Sequence, residues 1–247
     1  MSFHAASLSV CDSALRAYLL GTVSFDAALA LQRMLVYQTS GDREGGSLLM
    51  CEHPPMISVG RHGSRAHILY EPAELQNRGW PVRWVNRGGG CVLHLPGQLA
   101  IYPVVALDRR GWGIQTYLEQ LQQVTLAVLD DFSIRGITHR SRPGVWANGR
   151  LIASVGVAVR DWVSYYGLYF NSHPDLHPFR HVRVDPLSCD PMTSLVRERR
   201  GPLRAAMVRE RFVEHFAAQF GFERTSLYFN HPSLPRRAPL DAVAANS

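Results

Sequence analysis

The stretch RGGGCVLHLPGQLAIYP, residues 87–103, carries three consecutive glycines, a cysteine, a histidine and a Pro-Gly corner ahead of an apolar run. Glycine runs can cradle phosphate, and Cys with His can make a nucleophile and its base. A dinucleotide fingerprint requires the glycines to lead from a strand into a helix. Here they lead to His94, then to Pro96-Gly97, and then into LAIYPVVA (99–106), whose β-branched and aromatic residues read as a strand. The P-loop pattern also fails, because it needs a lysine after its glycines. What remains is a strand, a glycine-lined bend and another strand. Missing Cβ atoms there let a ligand lie close to the backbone, or simply permit a tight bend.

The lysine is missing everywhere. All 26 basic residues of the 247-residue chain are arginine. Arginine keeps its proton at any workable pH, whereas lysine is the tunable amine. Schiff bases, P-loop phosphate clamps and lysine-activated nucleophiles are therefore excluded. The formal net charge is +6, but the arginines are spread along the chain with short clusters only at Arg197-Arg199-Arg200 and Arg236-Arg237. This favours a solvated surface or a dock for an acidic protein over nucleic acid.

Hydrophobic residues make up 46% of the chain, enough for a substantial core. No run of 18 apolar residues offers a membrane span, and the first residues, MSFHAASLSVCDSALRAYLLG, lack the basic start and apolar stretch of a signal peptide. A cytoplasmic protein with no membrane contact is expected. Cys11, Cys51, Cys91 and Cys189 show no CxxC pairing, so neither a zinc ribbon nor a disulfide framework is suggested. His53, His62 and His67 match no standard metal spacing. His173, His177, His181, Asp185 and Cys189 lie among prolines that forbid a regular helix. No metal and no cofactor is expected.

There is no internal repeat. Residues 1–228 read as one domain and 229–247, rich in Pro, Ala and small polar residues, as a partly disordered tail. Three helices are expected. The first covers 24–39 with Ser24 as N-cap. The second starts at 116 with a Thr116–Glu119 capping box and carries Leu118, Leu121, Val124, Val128 and Phe132. The third covers 203–220 with Met207, Phe212, Phe216 and Phe220 on one face and Gly221 as its stop. Residues 47–51, 81–85, 99–106, 152–159 and 162–171 read as strands, the last two forming a hairpin across Arg160-Asp161. The fold class is α+β, a central mixed or antiparallel sheet flanked by helices.

The motifs come in a telling order: LLMCEHPPMISVGRHGSRAHIL (48–69), RGGGCVLHLPGQLAIYP, PGVW, IASVG, GLYFN, DLHPF and MTSL. In this order they resemble the lipoyl(octanoyl) transferases, within the wider group of biotin and lipoate protein ligases, from about Leu48 to Leu195. The resemblance implies a single domain of the biotin/lipoate protein ligase type and a monomer. It also implies a two-step acyl transfer. A cysteine in a Pro-Cys-Gly segment takes octanoate from acyl carrier protein as a thioester, helped by a lysine just before the I-x-S-x-G strand, and the acyl group passes to a lipoyl domain. Carrier protein and lipoyl domain, both acidic, are the implied partners, and an octanoyl or similar acyl chain the implied ligand. The implied acyl-binding positions are Arg87, Gly88, Gly89, Gly90, Cys91, Val92, Leu93, His94, Ser154, Val155, Gly156, Gly167, Leu168 and Tyr169.

The catalytic positions depart from the pattern. Counting forward from Phe179 and back from Met192, the cysteine position falls on Asp185, in Val-Asp-Pro instead of Pro-Cys-Gly. The lysine position, directly before Ile152, holds Leu151. The family's TYHG has become Val92-Leu93-His94-Leu95. Cys189 in the same loop and Cys91 in the glycine segment are the candidate substitute nucleophiles, and either would need Arg or His94 to depress its pKa. A lysine left alone beside an apolar acyl pocket would be a costly ion to desolvate, and leucine removes that cost. The sequence thus points to an acyl- or partner-binding protein without the covalent step, with an acyltransferase using a relocated nucleophile as the alternative.

Overall fold

Strands β9 (Arg150–Arg160) and β10 (Val163–Asn171) form the hairpin at the centre of the molecule. They join through a two-residue turn in which Asp161 and Trp162 have φ of 50° and 60°, with Val163 opposite Arg160. Two left-handed residues in a row make the type I′ geometry that matches strand twist. The turn thus lies one residue later than the sequence suggests. The computed structural model describes residues 13–140, 142–184, 191–201 and 203–234. Asp185, Cys189 and Cys11 lie outside the described residues, as does the tail from 235 on.

Nine further strands and five α-helices are described, besides three short 3-10 helices: β1 (Ala14–Thr22), α1 (Phe25–Gly41), β2 (Gly46–Glu52), β3 (Met56–Val59), α2 (Pro72–Asn77), β4 (Val82–Trp84), β5 (Cys91–His94), β6 (Gln98–Val104), α3 (Ile114–Asp131), β7 (Gly136–His139), β8 (Arg142–Ala147), α4 (Leu195–Arg199), α5 (Ala205–Gln219) and β11 (Arg224–Tyr228). Eight strands form one mixed sheet in the order β11-β1-β2-β6-β10-β9-β8-β7, and β4-β3-β5 form a second, small sheet. β1 runs parallel to both β2 and β11, while the pairings from β2 through β6 to β7 are antiparallel.

Helices cover both faces. Leu99 and Ile101 of β6 turn toward α3 and α5, joining Leu121, Val124, Val128, Phe212, Phe216 and Phe220 in the larger core. Ala100, Tyr102 and Val104, on the opposite side by strand alternation, pack with Leu31 and Leu35 of α1. Ser24 caps α1, its side chain accepting from the Ala27 N–H at 3.3 Å, and Gly221 follows α5 with φ 66°. Two details differ from expectation. Helix α3 begins at Ile114 with Gly113 as N-cap, so Thr116 and Glu119 lie inside the first turns and form no capping box. In α5 the buried face is Val208, Phe212 and Phe216, and Met207, one position off that stripe, is 38% exposed. Among the described residues no helix is long and apolar enough to cross a membrane.

Candidate functional site

The glycine segment between β4 and β5 becomes one wall of a cavity because glycine is the only residue that fits around it. A Cβ at Gly60 would lie 2.5 Å from the Gly89 carbonyl oxygen, and one at Gly156 would lie 2.7 Å from the Gly88 oxygen. Such contacts fall inside van der Waals limits, so Gly60 and Gly156 let the Arg87–Gly90 backbone pack against β9. The Gly88 N–H donates to the Val157 oxygen at 2.8 Å, and the Arg61 and His62 N–H groups donate to the Arg87 and Gly89 oxygens at 3.0 and 3.1 Å. Gly89 itself has φ 78°.

Arg87 holds this wall together and is itself among the residues lining the cavity. It is 1% exposed and donates to the Gly88 and Gly90 oxygens at 3.0 and 3.1 Å and to the backbone and hydroxyl oxygens of Ser58 at 3.0 and 2.8 Å. Its guanidinium lies 5.5 Å from the Tyr169 ring centroid. Main-chain carbonyls and an aromatic face thus surround this buried cation, with no carboxylate among its described partners.

The cavity in front measures about 1210 Å³. That exceeds the ~300–1,000 Å³ of ordinary small-molecule pockets. Gly89, Gly90 and Val92 face it from the glycine segment, and Leu151, Ser154, Val155 and Gly156 from β9. Trp146, Phe179 and Met192 add apolar surface. Arg142, Arg150, Arg180, Arg183 and Arg197 give it a basic rim, and no Asp or Glu lines it among the described residues. The PGVW, DLHPF and MTSL segments supply Trp146, Phe179 and Met192. Their presence as motifs was the signal, but the sequence did not say which of their side chains face inward.

Leu151 stands in this cavity with 6% exposure. Its N–H donates to the Pro191 oxygen and its own oxygen accepts from the Thr193 N–H, both at 2.9 Å. Leu151 of β9 and the chain that follows residue 190 are therefore stitched together. Glu198 reinforces the stitch. Its carboxylate, 3% exposed, accepts from Arg150 at 3.0 Å, from Asn148 at 2.6 Å and from the Thr193 hydroxyl. Burial alone would raise its pKa, but these hydrogen bonds prevail and hold it below the usual carboxylate range.

Several residues expected at the site stand elsewhere. Cys91 and Leu93 alternate with Val92 along β5 and belong to the small core with Ile57, Val59 and Phe179. The Cys91 thiol points to the Ser64 oxygen at 3.6 Å. Burial pushes its pKa up, and the Ser64 contact, Arg87 and Arg65 offset this only in part. Gly167, Leu168 and Tyr169 are buried in β10, between β9 and β6 in the sheet, where a Cβ at Gly167 would meet the Ile101 oxygen at 2.1 Å. Gly88 packs against β9. His94 is 1% exposed and stands behind the wall, its Nε2 2.8 Å from the Ser58 hydroxyl.

A second Cys-His pair is excluded as a nucleophile and base. Cys51 Sγ lies 3.8 Å from His53 Nε2, but the thiol is buried and its pKa raised by burial and by Glu52. His53 is neutral, its pKa lowered to about 4 by burial, with Nδ1–H donating to the Val23 oxygen at 2.7 Å and Nε2 accepting from Tyr102 at 2.8 Å. Neither residue lines the cavity. Among the described residues no three His, Cys, Asp or Glu side chains converge as metal ligands.

Comparison with known proteins gives this geometry its context. Residues 24–217 match the family model described as lipoyl protein ligase A/B catalytic domain. The octanoyltransferase of Nitratidesulfovibrio vulgaris (strain DP4) is 37% identical over 179 residues, 72% of this chain and 82% of that one. The octanoyltransferase of Geotalea uraniireducens (strain Rf4) is 34% identical over 197 residues, 80% of this chain and 89% of that one. Among solved structures, lipoate-protein ligase A bound with ATP superposes with a TM-score of 0.68 at 16% identity, covering 87% of each chain. A bi-partite lipoate protein ligase from Thermoplasma acidophilum gives 0.65 at 16% identity, covering 87% of this chain and 86% of that one. At such identity the structures establish the shared fold, and the sequence relatives establish the branch. The chain belongs to the lipoyl protein ligase A/B catalytic domain family, as an octanoyltransferase-like member of lipoate metabolism.

Proposed function

We propose that the chain binds an octanoyl or similar acyl group, presented by an acidic carrier protein or lipoyl domain, without forming an acyl-cysteine. One observation carries the reading. Leu151 lines the cavity at the position where the resemblance calls for a lysine, in a chain that has no lysine at all. With Asp185 at the cysteine position, both the nucleophile and the cation that would lower its pKa are absent from their places. The apolar lining suits a hydrocarbon chain, and the basic rim suits an anionic carrier surface. The family relatives, named octanoyltransferases, support an acyl donor and an acceptor lipoyl domain as partners in general terms.

The second reading, an active transferase, is supported by those same names. It would rest on Cys189, since Cys91 faces the small core with a raised pKa. Calorimetric titration with octanoyl-carrier protein and with sodium octanoate tests the binding function. Saturable binding of the octanoyl-carrier protein is expected, weakened by salt because the rim is basic. No binding of either ligand would refute a retained acyl site.

A further inference from the structure

A second cavity, of about 350 Å³, shares no lining residue with the acyl cavity. Arg33 and Val36 of α1, Asn86 just before the glycine wall, Arg160 at the end of β9 and Tyr165 of β10 line it. The proposed function leaves it unused. A break in strand alternation puts its tyrosine there. Tyr166 has φ 55°, a left-handed value inside a strand. Tyr165 and Tyr166 therefore both join the core under α1, with ring centroids 5.1 Å apart, where a regular strand would send them to opposite faces. The Tyr166 N–H donates to Gln32 Oε1 at 2.7 Å, and Gln32, 1% exposed, directly precedes Arg33. Helix α1 is thus pinned to β10 beside the cavity.

The polar groups of this cavity are mostly donors. Tyr165 is 8% exposed, and its hydroxyl accepts from Asn86 Nδ2 at 2.7 Å. That hydroxyl donates to no described residue. Arg33 makes no hydrogen bond or ion pair among the described residues. Arg160 meets only its neighbour Asp161, at 3.6 Å, with both side chains well exposed, and such a pair is held loosely. No Asp or Glu lines the cavity. Two cations and a hydroxyl with a hydrogen to give are complementary to an anion that only accepts. A carboxylate matches one guanidinium fork with its two oxygens. A phosphate has further oxygens for a second fork and for the hydroxyl.

We propose that this second cavity binds a phosphate group, as inorganic phosphate or as the phosphomonoester end of a small molecule, between the Arg33 and Arg160 guanidiniums with the Tyr165 hydroxyl as a third donor. Asn86 holds that hydroxyl in place through its side-chain amide. Both arginine side chains must be ordered when the ligand arrives, which costs conformational entropy and keeps the affinity modest.

A nitrogen-proton NMR titration of the full chain with sodium phosphate and with glycerol phosphate, against sodium chloride at matched ionic strength, tests this. Saturable shifts of the Asn86 side-chain amide and of the Arg33 and Arg160 guanidinium signals are expected with both phosphates at roughly millimolar concentration, and none with chloride. Tighter binding of glycerol phosphate would assign a phosphomonoester, and equal binding would assign phosphate itself. Arg33→Gln and Arg160→Gln should each weaken binding roughly tenfold, and Tyr165→Phe roughly fivefold. Tyr165→Phe keeps its ring in the core, and the two arginine variants carry the test independently of it. Shifts that chloride reproduces, or equal binding by Arg33→Gln and the parent, would overturn the proposal. So would a glutamate-rich peptide that shifts these signals where phosphate does not, since the cavity would then be a dock for an acidic protein. A parent chain that binds no octanoate would leave this result untouched, because the two cavities have no lining residue in common.

Discussion

Leu151 and Met192 pair as a parallel β-bridge, held on either side by the Leu151 N–H to Pro191 and the Thr193 N–H to Leu151. This bridge sets a residue of the central sheet against the segment that follows position 190. Glu198 closes it from behind through Arg150 and Thr193. Replacing Glu198 with Ala should cost about 1–3 kcal/mol by chemical denaturation, since it leaves Thr193 and Arg150 without their shared acceptor. It should also raise exchange at the Leu151 amide. An unchanged denaturation midpoint would mean that the bridge does not depend on Glu198.

The double variant Leu151→Lys with Asp185→Cys is expected to gain octanoyl-enzyme formation on the introduced thiol, because the glycine wall and β9 line a cavity beside Leu151. The introduced ammonium and the arginines of the rim are cations, and cations near a thiol lower its pKa and favour the thiolate. Mass spectrometry of the variant after exposure to octanoyl-carrier protein reads this directly. A folded double variant that never acylates would mean that the cavity has lost its acyl geometry.

Cys51 and Cys91 should behave as core residues. In a chain carrying Cys11→Ser and Cys189→Ser, a disulfide reagent should modify neither remaining thiol within minutes at pH 8 and both on addition of denaturant. Rapid native modification of Cys91 would contradict its placement against the Ser64 carbonyl.

Two glycines separate stability from site shape. Gly167→Ala should destabilise by about 3 kcal/mol or more, since its Cβ meets main-chain oxygen of the neighbouring strand. Gly156→Ala presses on the Gly88 oxygen at 2.7 Å and on Arg87 at 3.2 Å, and should weaken octanoyl binding more than it lowers the melting temperature. Equal binding by Gly156→Ala and the parent would mean that the wall can shift at no cost to the site.

Acid should unfold the protein by way of its buried histidines. The folded pKa of His53 is about 4, below the ~6.5 of an unfolded histidine. The neutral form it keeps therefore stabilises the fold fully above pH 6.5, and this contribution is lost as pH falls toward 4. The loss is on the order of 3 kcal/mol, and His94 adds in the same direction. Denaturation midpoints at pH 7 and pH 4.5 measure it, and a His53→Gln variant should show a flatter profile. Identical slopes for variant and parent would remove His53 from the account.

The stripe of Leu121, Val124 and Val128 and the run IASVGVAV could be read directly, because burial on one face leaves a period of 3.6 or 2 in the residues themselves. β1 could not: ALRAYLLGT has a helical composition and becomes a strand only because β11 and β2 flank it on both sides. Likewise the start of α3 at Ile114 overrode a plausible capping box, and the Asp161-Trp162 turn placed a tryptophan at positive φ against local preference. At the site, Arg87 and the glycines were legible as a wall. Which way Cys91 and His94 face depends on the register of β5 against β3, which no local pattern reports. Ser58 and Glu198 carried no signal, since their partners are distant in sequence.

The central claim is that this chain offers an acyl cavity with no acyl-cysteine chemistry. Intact-protein mass spectrometry of the parent chain after incubation with octanoyl-carrier protein tests it most directly. The account predicts an unmodified mass under conditions in which Leu151→Lys with Asp185→Cys gains one octanoyl group. An octanoyl adduct on the parent chain, mapped to Cys189 or any other residue, would contradict it.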